Sequence, residues 1–237
     1  SATRTLPYSS MKTRVPAYES VDQMADATAA ALAQAAASSA YELFGDKEFR
    51  RMTGLERLSQ VEQDRIFNEL VVALLVLMML LLEAPDLRVP RELRNYLAGL
   101  NKRIPEAYVE NLKTLGVETN HLRDWEKLIS MRYEEYARDK HEVRAAAMQL
   151  ESAEKSLDLE GLSKIQLLVP VQAVSIGCHH HICRGNTAGR DDLFKQILKS
   201  LSNFYVELRI RLEGDKITLF TRVRVALKRM LQRLGGK

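Results

Sequence analysis

Three consecutive histidines between two cysteines form the densest set of metal-ligating side chains in this chain. The run reads Cys178-His-His-His-Ile-Cys183. Thiolate and imidazole are ligands that zinc prefers. On a helix, Cys178 and His181 share one face and His179 and Cys183 share another, so each face offers a pair that other elements must complete. The run suggests a zinc site formed by Cys178, His179, His181 and Cys183. The alternative is that the cysteines are small buried apolar side chains and the histidines are partly exposed.

Catalytic motifs are missing from the 237 residues of the sequence. It contains neither the G-x-x-x-x-G-K-[ST] phosphate loop nor the G-x-G-x-x-G dinucleotide fingerprint. It also lacks the G-x-S-x-G turn that exposes a nucleophilic serine. We therefore expect a protein that is not an enzyme.

The charges are distributed unevenly along the chain. From Arg209 to Lys237 there are nine basic and two acidic residues, a net charge of +7, and residues 1–18 add +3. The whole chain has a formal net charge of +4, so its middle part is acidic, at −6. A final helix is predicted from Lys216 to about Leu234, with an apolar face bordered by arginine and lysine. The two ends are therefore basic and the body is acidic.

Rows of cations without acidic neighbours favour a polyanionic partner. They displace counterions from phosphates, so binding is sensitive to salt and largely independent of base sequence. We expect DNA or RNA binding of this kind. The alternatives are that the cations pair with the acidic body, or that the basic amphipathic helix lies on anionic lipid; we do not expect a membrane partner. The residues expected to contact phosphates are Arg4, Lys12, Arg14, Arg222, Arg224, Lys228, Arg229 and Arg233.

The most apolar stretch, Leu70 to Leu82, predicts the central helix of a bundle. A helix that is apolar all round is buried on every side. The run has 13 residues between Glu69 and Glu83, whereas a bilayer span needs roughly 18 or more. Ser59-Gln-Val-Glu62 reads as a capping box at the start of this helix, and Pro85 ends it.

The remaining helices are predicted from caps and turn residues. Ser20-Val-Asp-Gln23 is a second capping box, for a helix that ends at Phe44 with Gly45 in the left-handed position. Pro90 and Pro105 suit the first turns of two short helices, the second of which is closed by Gly116. The inward stripe of the first helix is expected to be Met24, Thr28, Ala31, Ala35 and Ser38.

The second half of the chain contains one ambiguous segment between two clear helices. A long helix is predicted over residues 120–154, and an amphipathic helix begins at Asp191. Between them, residues 163–184 are rich in β-branched side chains and contain Pro170. This segment fits either two short strands or a kinked helix.

Together these elements predict an all-α protein. We expect an irregular bundle of seven or eight helices around a very apolar central helix, with an extended N-terminal arm. The arm covers residues 1–19, the bundle core 20–156, and a C-terminal helical segment with a basic amphipathic hairpin 157–237. Two cysteines cannot form a disulfide framework, which favours the cytoplasm or another reducing compartment. A location in a virion is the alternative.

The predicted function is a non-enzymatic structural protein that self-associates and binds nucleic acid through its basic ends, as in a nucleoprotein or capsid-like assembly. This prediction implies a homo-oligomer. Two alternatives are left open. One is a helical metalloprotein that uses residues 178–183, with zinc as the cofactor, and the other is a pure protein–protein scaffold.

Overall fold

All regular structure in the described residues, 19–154 and 159–213 of the computed structural model, is helical. The predicted all-α bundle around one apolar helix is therefore confirmed. The extended arm and the last predicted helix lie outside the described residues. The helices are α1 (Val21–Gly45), α2 (Lys47–Thr53), α3 (Gln60–Leu82), α4 (Arg91–Thr114), α5 (Thr119–Glu154), α6 (Leu159–Ile182) and α7 (Asp191–Glu213), with a 3-10 turn at Leu55–Arg57.

Helix α3 is the centre of the bundle. Every residue from Glu69 to Leu82 is buried, and α3 packs against α1, α4, α5, α6 and α7. Ser59 caps the helix by accepting a hydrogen bond from the backbone N–H of Glu62. Among the described residues α3 alone is long and apolar enough to cross a membrane, by length and composition, and 83% of its most apolar window is buried inside the protein.

Helix α1 begins where the capping box predicts but buries a different face. Ser20 Oγ accepts a hydrogen bond from the N–H of Gln23, whose side chain accepts one from the N–H of Glu19. The predicted inward stripe is wrong, since Ala31 and Ser38 are exposed. Alanine occupies several faces of this helix, so composition alone cannot select the one that packs. The buried residues are Ala25, Ala29, Ala33, Ala36, Ala40 and Leu43.

Helix α1 also ends without the predicted left-handed glycine. Gly45 is the last helical residue and does not have a positive φ. Asp46 follows in an extended conformation and accepts a hydrogen bond from the N–H of Phe49. The chain therefore enters α2 directly, and an aspartate cap takes the place of a glycine turn.

Helix α4 is one continuous helix, so the predicted division at Pro105 is wrong. Pro90 is its N-cap, and Pro105 lies inside it. A proline inside a helix removes one backbone hydrogen bond and costs roughly 3 kcal/mol. Burial of the neighbouring Leu100 and Ile104 offsets this cost, since each fully buried side chain contributes about 1.5–3 kcal/mol. Gly116, with φ of 86°, follows the end of the helix as predicted.

Residues 163–184 adopt the helical alternative. Residues 163–182 belong to α6, which has Pro170 in its interior, and residues 183 and 184 lie in the turn that follows. This helix packs against α3, α5 and α7, and its valines at 169, 171 and 174 are all buried. The β-branched content that suggested strands therefore reflects burial on several sides.

Candidate functional site

The two cysteines of the Cys/His run are buried near the end of α6. Cys178 is fully buried in the core, and burial raises the pKa of its thiol. Cys183 is also buried, and Nη1 of Arg190 lies 3.8 Å from its Sγ. Both thiols are free. The protonated thiol of Cys178 is thus the stable form, which disfavours its use as a nucleophile.

The two predicted histidine ligands have different partners. His179 is buried beside the ring of Phe194, with 5.6 Å between ring centroids, and its Nε2 has no hydrogen-bond partner. His181 Nε2 lies 2.7 Å from Oε1 of Glu135. Within the described parts of the chain, no three His, Cys, Asp or Glu side chains are grouped to hold a metal ion. The zinc site at Cys178, His179, His181 and Cys183 remains a prediction.

The burial of His179 should make the protein less stable in mild acid. Burial disfavours the imidazolium and lowers the pKa of His179, against a hydrogen bond to the backbone of Arg190. In the unfolded chain a histidine titrates near pH 6.5, so below about that pH the unfolded state binds more protons. We expect the contribution of His179 to the free energy of unfolding to be fully present above about pH 6.5 and to be lost as the pH falls from there through the lowered pKa of the folded protein.

Urea denaturation at a series of pH values tests this expectation. The His179→Leu variant should show a smaller decrease in stability between pH 7 and 5 than the wild type. The exposed His121→Gln variant is the control and should keep the full decrease. Parallel pH profiles for the wild type and His179→Leu would contradict the assignment.

A buried ionic network, absent from the sequence predictions, joins α3, α5 and α6. Glu69 and Arg132 form two hydrogen bonds of 2.7 and 3.0 Å, and their side chains are only 8% and 13% exposed. Arg132 also pairs with Glu135 at 3.1 Å, and Glu135 contacts His181. Burial disfavours the charged guanidinium, but the contact with Glu69 outweighs it and raises the pKa of Arg132. One sequence signal was available, since a carboxylate beside a fully apolar run requires a cationic partner.

Arg65 connects the same end of α6 to α3. Its guanidinium donates hydrogen bonds to the carbonyl oxygens of His181 and Ile182, at 2.8 and 3.0 Å. These carbonyls lie at the helix end, where intrahelical partners run out. Glu62 holds Arg65 at 3.1 Å and also binds Arg184. The hydrogen bond from Arg184 lowers the pKa of Glu62. This arrangement is suited to clamping the end of α6 rather than to catalysis.

The predicted nucleic-acid-binding residues all lie outside the described part of the chain. Two other cations of the basic C-terminal stretch are described. Arg209 is buried and pairs with Asp86 and Glu213, both at 2.9 Å. Arg211 pairs with Glu207 at 2.5 Å. Arg209 is therefore held by acidic partners inside the body, whereas the pair of Arg211 with Glu207 is exposed at the surface. The predicted phosphate-binding residues, none of which is among the described residues, are Arg4, Lys12, Arg14, Arg222, Arg224, Lys228, Arg229 and Arg233.

Comparison of this chain with protein-family models, curated proteins and solved structures finds no match.

Proposed function

We propose that this protein is a non-enzymatic, self-associating structural protein that binds nucleic acid through the phosphate contacts of its basic ends. The division of charge is the observation that supports this function most. The described residues contain 24 Lys and Arg against 29 Asp and Glu, a net charge of −5. Residues 1–18 and 214–237 contain ten Lys and Arg against one Asp. The terminal cations therefore cannot be neutralised by acids of their own segments.

The ion pairs of the body also support phosphate binding by the terminal segments. Several body cations are held by carboxylates, and binding phosphate would require each of them to give up that partner. The terminal cations have one local acid to compete for, Asp215. The ends are therefore proposed to supply most of the phosphate contacts. The paired body cations include Arg50, Arg51, Arg65, Arg103, Lys113, Arg132, Arg184, Lys195, Arg209 and Arg211.

The same division of charge supports self-association. Basic ends of one copy are complementary to the acidic body of another, and nucleic acid can bridge copies by binding several ends. The assembly then depends on salt, because screening weakens both contacts.

Neutralising the basic C-terminal cations should reduce the salt dependence of nucleic-acid binding. In the full chain, Arg222, Arg224, Lys228, Arg229 and Arg233 are replaced by glutamine. Each phosphate contact with duplex DNA contributes about −0.9 to the slope of log K against log salt, so five contacts contribute up to about −4.5. Fluorescence anisotropy with a DNA duplex and an RNA strand at several salt concentrations measures the slope.

The control carries the same change in charge on the body. It replaces five exposed cations by glutamine: Lys47, Arg57, Arg123, Lys127 and Lys199. This control should bind like the wild type. Wild-type protein that does not bind at low salt, or equal losses in both variants, would contradict the proposal. Light scattering of the same samples, with and without nuclease, should show particles larger than the 26.9 kDa monomer that shrink on digestion or in high salt. A monomer in every condition would contradict self-association.

A further inference from the structure

The C-terminal basic segment leaves the body beside the start of α4. The carboxylate of Glu213, the last residue of α7, accepts a hydrogen bond of 3.0 Å from the backbone N–H of Arg88. One turn earlier, Arg209 binds both the carbonyl and the carboxylate of Asp86, each at 2.9 Å. Residues 214–237 are therefore attached next to the segment that leads into α4.

The N-terminal basic segment is attached beside the same helix. Arg103 of α4 pairs with Asp22 and Asp26 of α1, at 2.6 and 2.5 Å. The hydroxyl of Tyr96 donates a hydrogen bond of 2.9 Å to Oγ1 of Thr28. Residues 1–18 therefore join the described chain close to the middle of α4. At 1.5 Å per residue, the distance along α4 from residue 91 to residue 103 is roughly 18 Å.

The surface between these two attachment points is itself basic. Arg88, Arg91, Arg94 and Lys102 are all exposed, and none of them forms an ion pair with another described residue. The only acid in residues 88–103 is Glu92. Positions 91, 94 and 102 lie on one side of α4, away from the side that is buried in the bundle. This surface, made by Arg88, Arg91, Arg94 and Lys102, is here called the α4 basic surface.

We propose that the α4 basic surface is the part of the nucleic-acid interface that the folded body supplies, located between the points at which the two terminal segments join the described chain. The inference rests on the proposed function and adds a site to it. From residue 91 to residue 102 the surface extends roughly 16 Å, a length of DNA helix axis over which one strand carries about five phosphates. The surface thus lies near the points at which both terminal segments join the described chain.

A nucleic acid matches this surface better than a lipid bilayer does. A helix that lies in a membrane interface needs a large apolar face beside its cations. Leu93 is the exposed large apolar side chain of α4, at 45% exposure. A phosphate backbone requires only the cations.

The test compares two triple variants of the full chain. The first replaces Arg88, Arg91 and Arg94 by glutamine, and the second, its control, replaces the exposed Lys47, Arg57 and Lys199. The first variant should reduce the magnitude of the slope of log K against log salt for duplex DNA by up to about 2.7. The loss of affinity on going from 50 to 200 mM salt should then be up to roughly 40-fold smaller than for the wild type. This loss should be the same for unrelated DNA sequences. The control should keep the wild-type slope, and both variants should unfold at the wild-type midpoint.

The other outcomes separate the inference from the function on which it rests. Wild-type protein that does not bind nucleic acid at low salt overturns both. Wild-type binding together with a first variant that matches its control overturns the α4 basic surface alone and leaves phosphate contacts to the terminal segments. Binding to anionic phospholipid vesicles that the first variant abolishes, with no binding to nucleic acid, overturns the inference in favour of a membrane surface.

Discussion

Gly177→Ala should destabilise the protein by about 2 kcal/mol, even though alanine is the better helix former. Gly177 lies inside α6, where a Cβ would be 2.2 Å from Cε1 of Tyr136 and 2.8 Å from its Cδ1. Tyr136 is fully buried, so its ring has no open space into which to move. Overpacking a core costs roughly 1–3 kcal/mol and sometimes more. This cost exceeds the gain of about 1 kcal/mol from replacing a helical glycine.

The control for this substitution is Gly99→Ala in α4. Gly99 is exposed, and a Cβ there would have no atom within 4 Å. This variant should be more stable than the wild type by roughly 0.5–1 kcal/mol. In a Tyr136→Ala background, Gly177→Ala should no longer destabilise, because the ring that it meets is absent.

Urea denaturation measures the stability of the wild type and of the four variants, and thermal unfolding gives a second readout. A loss of about 2 kcal/mol corresponds to a fall in Tm of roughly 4–8 °C for a chain of this size. Equal stability of the Gly177→Ala and Gly99→Ala proteins would show that α5 and α6 do not approach as closely as described.

Arg132→Met should cost about 3–5 kcal/mol, because it leaves the carboxylate of Glu69 buried without a cation. Glu69 is 8% exposed and lies where α3 becomes apolar on all sides. Arg132 supplies both of its hydrogen bonds and also binds Glu135. Methionine keeps most of the side-chain volume, so the loss measures the missing charge and hydrogen bonds more than a cavity.

Two further variants separate charge from packing. In the Glu69→Leu/Arg132→Met double variant both charges are removed, and most of the lost stability should return, since a buried ion pair can often be replaced by apolar residues at little cost. Arg51→Met is the exposed control. Its pair with Glu48 has side chains that are 70% and 63% exposed, so its loss should be far smaller than that of Arg132→Met. Equal losses for Arg132→Met and Arg51→Met in urea denaturation would refute the account.

Local signals in the sequence were sufficient to locate most helices. Capping boxes placed the starts of α1 and α3 at Ser20 and Ser59, because a cap depends on residues within one turn. The period of apolar residues placed α7, and the uninterrupted apolar run identified α3 as the buried centre. Pro105 was misread as a helix start because its cost is local, whereas the burial that offsets it involves other helices.

For the candidate sites, even less could be predicted from local sequence signals, because their properties depend on tertiary contacts. The sequence could point to Cys178 and His181 as chemical groups, but it could not show that one is enclosed in the core and the other binds Glu135. Nor could it show that the α4 basic surface lies between the attachment points of residues 1–18 and 214–237. These relations join residues up to 125 positions apart, such as Arg88 and Glu213.

By itself, the sequence determined the helical class, the central position of α3 and the concentration of positive charge at the two ends. These properties follow from composition, periodicity and caps, which act within a few turns of chain. Only the tertiary structure decided which face of α1 is buried, which carboxylates hold Arg132 and Arg209, and which exposed cations remain without such a partner. The reason is physical: burial and ion pairing depend on which side chains meet, and that is set by the packing of helices distant in the chain.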